Sequence, residues 1–215
     1  MAKRADPPRV NDDQVRRLLD RYKCPVPFHQ VRTRFLGNIA TPLMVSPFSL
    51  VQGLWDGQLP TFDSTEDANE LVSVLIMGLW NRLTRHQDRS APFRLMRIET
   101  KPTRRDLAAL ASMRRQELDG FVEGLFGAEE VVDLPERAHR GLEHLAEVRA
   151  LCVGVIDVTA DDTKVGSDAE MEKTARLMRE MTRGAEQEIH AIVLACKRAR
   201  KDMLVSPATR EPTLH

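Results

Sequence analysis

Little in this sequence favours a disulfide scaffold, a membrane span or a β-sheet. It has three cysteines, Cys24, Cys152 and Cys196. They are too few and too scattered for a disulfide framework or a Cys-rich zinc site, and they suit a reducing cytoplasm. Aromatic residues make up only 5% of the chain, and period-two alternation of apolar and polar residues is almost absent, so strands are not expected. The longest near-apolar run, Leu71 to Trp80, is about half of what a bilayer span requires. The basic residues Lys3 and Arg4 are followed by Asp6, Pro7 and Pro8 rather than an apolar stretch, which argues against a signal peptide. Charge of either sign is not in excess: Lys plus Arg and Asp plus Glu number 32 each. Net charge therefore gives no global pull toward nucleic acid or an anionic membrane.

Helix signals fill the space these absences leave. A chain of 215 residues can bury a sizeable core. Asn11 with Gln14 reads as a capping box opening a helix through Tyr22. Pro25 and Pro27 break it, and Phe28 to Ala40 follows with Val31, Phe35 and Ile39 on one face. Pro47 suits the first position of a helix from Phe48 to Leu54. Ser64 caps the strongest helix, Thr65 to His86, whose stripe of Leu71, Val72, Leu75, Ile76, Leu79, Trp80 and Leu83, extended around the helix by Val74 and Met77, is wide enough to be buried on most sides, Trp80 included. Residues 87–102, with Pro92 and Pro102, show no clear period and read as an ordered connection.

Thr103 and Asp106 open the next helix, which Gly127 ends. Pro135 starts another, with Leu142, Leu145, Val148, Cys152, Val155 and Ile156 facing inward. Ser167 and Glu170 form a second capping box, opening a helix to about Lys201 with Met171, Ala175, Met178, Ala185, Ile189, Ile192 and Cys196 inward. The expectation is an all-α protein of six or seven helices with irregular Pro/Gly-rich connections. A single domain spans 1–204, with the C-terminal helix at about 168–201 and a tail over 205–215.

A further order of residues carries a family resemblance. Ser46-Pro47, Leu54-Trp55-Asp56-Gly57 and Pro60-Thr61-Phe62 precede the long helix with Trp80-Asn81. Glu117 to Leu125 then places Gly120-Phe121 on a helix, with Gly124 four residues after Gly120. The chain resembles the YecA/YgfB-like family of bacterial proteins over about 27–160. The resemblance implies an all-α fold and regulatory or protein-partner roles, and it implies no reaction. Two features depart from the family pattern. Thr33-Arg34-Phe35-Leu36 replaces an Asp-Gly-Phe-Leu run, and the basic helix ending Lys197-Arg198-Ala199-Arg200-Lys201 is not followed by a Cys-rich zinc module.

No catalytic constellation accompanies these motifs. Glu136 and His139 have the Glu-x-x-His spacing of di-iron bundles, which need a second copy on a facing helix. Glu186 and His190 are one residue too far apart to supply it, although residues at that spacing still share a helix face. These four are the metal candidates, ranked below ordinary helix-surface roles, and no cofactor is expected. Cys24 lacks the partnered acid and Gly-rich loop of a reactive thiol.

Charge segregation is more suggestive. Residues 82–115 hold ten basic residues against three acids, while residues 56–70 hold five acids and no Lys or Arg. Arg94, Arg97, Arg104 and Arg105 are therefore candidates for binding an acidic partner; Trp55 reads as a core residue filling the space between helices or, if exposed, as a partner-surface aromatic. No aromatic platform interleaves the arginines and no recognition helix stands out, so nucleic acid ranks second and a membrane last. Self-association stays open. The function this points to is a non-enzymatic interaction or regulatory module of a bacterial cytoplasm. The alternative is a metal-binding protein or metal-dependent enzyme using helix-borne His and Glu.

Overall fold

The computed structural model describes residues 10–43, 46–127, 129, 131–161 and 166–205. Seven helices account for most of them: α1 (Asp12–Arg21), α2 (Phe28–Ala40), α3 (Pro47–Gly53), α4 (starting at Thr65–Val72), α5 (Arg104–Phe126), α6 (Glu136–Ala160) and α7 (Asp168–Val205). No strand occurs among the described residues. None of their helices is long and apolar enough to cross a membrane. The tail expected over 205–215 lies outside the described residues except for Val205, which ends α7.

Side-chain caps set the helix starts. The carboxamide of Asn11 accepts from the Gln14 amide at 2.8 Å, and the Ser64 hydroxyl from the Asp67 amide at 3.1 Å. Thr103 caps α5 through the Asp106 amide at 3.2 Å. Ser167 and Glu170 close a reciprocal box, each side chain bonding the other residue's amide, at 2.7 and 3.3 Å. Each cap satisfies an amide that has no partner within its helix. Gly127 closes α5 at a φ of 61°, a left-handed conformation that glycine adopts without steric cost.

The helix through residues 65–87 departs from a simple α-helix. It begins as α-helix, winds as π-helix over Ser73–Trp80, returns to α over Asn81–Leu83 and tightens to 3₁₀ over Thr84–Gln87. Leu71, Leu75, Leu79 and Leu83 are all buried and recur every four residues. Four residues of an α-helix overshoot a full turn by about 40°, so this row would drift off the core. The longer π turn winds the drift back. Met77 is consequently 53% exposed, and Trp80 is half-buried rather than enclosed, its ring edge-on to Phe35 at 5.8 Å.

Helices α2, α5, α6 and α7 pack in a ring, each on the next and α7 back on α2, with α1, α3 and α4 completing the core around α2. The α2–α5 crossing is the tightest. A Cβ on Gly37 would lie 2.8 Å from the Leu125 nitrogen, and one on Gly124 would lie 2.8 Å from the Arg34 carbonyl carbon. Only glycine permits that approach. The Gly120-Phe121-x-x-Gly124 pattern is thus a packing device, with Phe121 fully buried beside it. A smaller apolar cluster of Leu110, Ala111, Cys152, Met178 and Met181 joins α5, α6 and α7 away from the main core.

Candidate partner-binding groove

The chain between α4 and α5 crosses the fold as a strap with no helical or strand assignment over residues 92–101. Phe93 and Leu95 are buried while Pro92, Arg94 and Arg97 are exposed, the inward–outward alternation of extended backbone. A buried strap must satisfy its amides and carbonyls without a neighbouring strand, and charged side chains supply the partners. Glu186 of α7 accepts from the Leu95 amide at 3.0 Å, and Glu117 of α5 from the Met96 amide at 2.7 Å. Arg114 donates to the Met96 carbonyl at 2.6 Å and Arg32 to the Arg94 carbonyl at 3.3 Å.

Arg114 and Glu117 form a buried ion pair one helical turn apart, and Arg114 also donates to Thr182 at 3.1 Å. Burial raises the Glu117 carboxyl above its ordinary range, against the opposing pull of Arg114 and the Met96 amide. Arg32 lies over the Phe93 ring at 5.0 Å. The basic segment thus divides. Its Arg114, with Arg32 of α2, builds the strap's seat, and other arginines of the segment remain outside.

Between this strap, α5 and α7 lies a groove of about 860 Å³. Arg94, Arg97, Arg179 and Arg183 stand on its walls, Glu99 and Glu186 are its acids, and Ile98, Leu110 and Ala175 are among its apolar lining. Arg94 is held by Glu186 at 2.6 Å, and Arg114 by Glu117. That leaves Arg97, Arg179 and Arg183, all exposed and in no ion pair among the described residues, facing Glu99 alone. The groove carries a positive excess over a partly apolar lining.

The candidate residues are distributed unevenly. Arg94 and Arg97 line the groove together. Arg104 instead donates to the Thr159 and Asp161 carbonyls at 3.0 and 2.6 Å, fastening α5 to the end of α6, where a cation suits the negative helix terminus. Arg105 is exposed in the first turn of α5 and outside the groove. Trp55 is half-buried against the main core, its indole N–H donating to the Tyr22 carbonyl at 2.9 Å. It holds the turn after α3 to the end of α1 rather than presenting a free aromatic.

Nothing in the sequence singles out Arg179 and Arg183. They are four residues apart on α7 and so share a helix face, but only the fold shows that this face meets the strap.

The four metal candidates are not gathered. Glu136 and His139 are exposed at the start of α6, whereas Glu186 is spent on Arg94 and the Leu95 amide. His190 is half-buried, with neither ring nitrogen hydrogen-bonded among the described residues. Among the described residues no three His, Cys, Asp or Glu side chains group as a metal site would require. The thiols of Cys152 and Cys196 are pushed up to about 11 by burial. Cys24 is shifted upward too, for the same reason, which opposes thiolate chemistry at all three.

Compared with protein-family models, curated proteins and solved structures, the chain shows no match.

Proposed function

We propose that this protein is a non-enzymatic interaction module of a bacterial cytoplasm that holds an acidic protein partner in the groove between the strap and α7. The observation that carries the reading is the exposed trio Arg97, Arg179 and Arg183, set around apolar residues without ion-pair partners among the described residues. Arg94, on the same groove, is already satisfied by Glu186. Of the groove's two acids, Glu186 is engaged by Arg94, which leaves Glu99 as the one outside an ion pair among the described residues. Arginine is favoured at protein interfaces because its planar head binds carboxylates in bidentate fashion and its stem packs on apolar surface.

The YecA/YgfB-like resemblance supports the same class of function, since its Gly-Phe-x-x-Gly helix serves packing and supplies no reacting group. Metal binding through helix-borne His and Glu draws no support from the separate placement of Glu136, His139, Glu186 and His190.

The test is capture of partners from the native host on immobilised protein, with Arg97→Glu/Arg183→Glu alongside the wild type and identification by mass spectrometry. An acidic protein retained by the wild type and lost from the double variant, with thermal stability unchanged, supports the proposal. Equal retention of every partner by both proteins would sink it.

A further inference from the structure

We infer that the groove receives its partner as an extended acidic peptide that pairs, strand to strand, with residues 97–100 of the strap. The inference rests on the groove being the partner site and specifies the form the partner takes there. Two observations carry it.

The first is the strap's hydrogen bonding. From Ala91 to Met96 its backbone is anchored by His86, Glu186, Glu117, Arg114 and Arg32. Beyond Met96 the anchoring stops. Among the described residues, no amide from Arg97 to Thr100 donates a hydrogen bond. The one bond accepted by a carbonyl there is a marginal 3.5 Å contact from the Thr100 hydroxyl to Ile98. Anchoring resumes at Lys101, whose amide donates to Asp106 at 3.1 Å. Free backbone bounded on both sides by fixed residues is a template for strand addition.

The second is orientation. Arg97, Ile98, Glu99 and Thr100 all line the groove. Side chains of extended backbone alternate between opposite faces, so four consecutive lining residues place the backbone edge itself at the groove. A peptide laid along this edge over about 13 Å would alternate in turn. One set of its side chains would meet Arg97, Arg179 and Arg183, and the other would lie on the half-buried Ile98 over the groove floor. The ligand class is therefore an extended segment alternating acidic and apolar residues. Glu99 fixes where a carboxylate is disfavoured, and so selects among registers.

A fluorescent peptide of about eight residues alternating Glu and Val is the probe, with two further versions N-methylated at all Glu or at all Val positions. In a strand, alternate amides point to opposite edges, so methylation removes donors from one edge at a time. The expected result is binding that weakens about tenfold or more with one methylated set and about twofold or less with the other. Arg183→Glu should weaken it as well. Equal weakening by both sets would show charge capture without strand pairing, and equally tight binding of an unmethylated all-Glu peptide would remove the apolar half of the ligand class; either overturns the inference while leaving the groove as partner site. Failure of every peptide to bind, with the captured partner still lost from Arg97→Glu/Arg183→Glu, would assign the groove to a folded partner surface and equally overturn strand pairing.

Discussion

Glycines with the same chemistry should behave in opposite ways here, because their surroundings differ. Gly124 lies against the Arg34 backbone, so Gly124→Ala must push two helices apart. We expect a loss of about 3 kcal/mol, the upper end for overpacking, because backbone yields less than a side-chain tip. Gly154, in the middle of α6, has no neighbouring atom within 4 Å of the point where a Cβ would stand. Gly154→Ala should stabilise by about 0.5–1 kcal/mol through helix propensity alone. Urea unfolding of the two variants checks both, and a Gly124→Ala protein as stable as the wild type would refute the close crossing. Gly120 and Gly124 are visible as a pattern in the sequence, but their purpose depends on Gln30, Thr33 and Arg34 of another helix. Trp55 escapes a sequence reading for a related reason. Its partner is the Tyr22 carbonyl, a backbone atom that leaves no trace in residue identity.

Among the elements, the helices are legible because caps and apolar stripes are local signals. Ser64, Thr103 and Ser167 each mark a start that the structure uses. The strap is not legible. Its alternation is short and slips between Leu95 and Met96, and its stability comes from Glu117 and Glu186, distant charges that read in the sequence as ordinary helix-surface residues. Glu117→Gln removes the negative charge and leaves Arg114 buried without compensation. Breaking such a pair costs about 3–5 kcal/mol, and the strap amides should exchange faster with deuterium. Unchanged stability and exchange would show that the pair does not hold the strap.

The strap's entry also titrates. His86 Nδ1 donates to the Ala91 carbonyl at 2.8 Å, and burial lowers its pKa, as it does for His29. A lowered histidine contributes stability that is present above its ordinary value of about 6.5 and is lost as pH falls through the lowered value. The thermal midpoint should therefore drop as pH falls below about 6.5, less steeply in His86→Gln. A midpoint independent of pH across that window would contradict it.

At the scale of the whole molecule, a neutral chain places its charges unevenly. The arginine block of residues 82–115 divides into a buried seat at Arg114, a helix clamp at Arg104, and groove walls at Arg94 and Arg97. The excess of arginine is plain in the sequence, but this division of labour follows from where each helix ends. Nor does the sequence point to Arg179 and Arg183, which share a face of a helix much further along the chain. The affinity of the purified acidic partner as a function of salt tests the central claim most directly. It should be measured for the wild type, Arg97→Glu/Arg183→Glu and the off-groove control Arg105→Glu. Binding by the wild type and the control should weaken steeply as salt rises, since screening shortens charge attraction to about 8 Å near physiological ionic strength. The double variant should bind about tenfold or more weaker at low salt. The same affinity for all three proteins at every salt concentration would contradict the groove as the partner site.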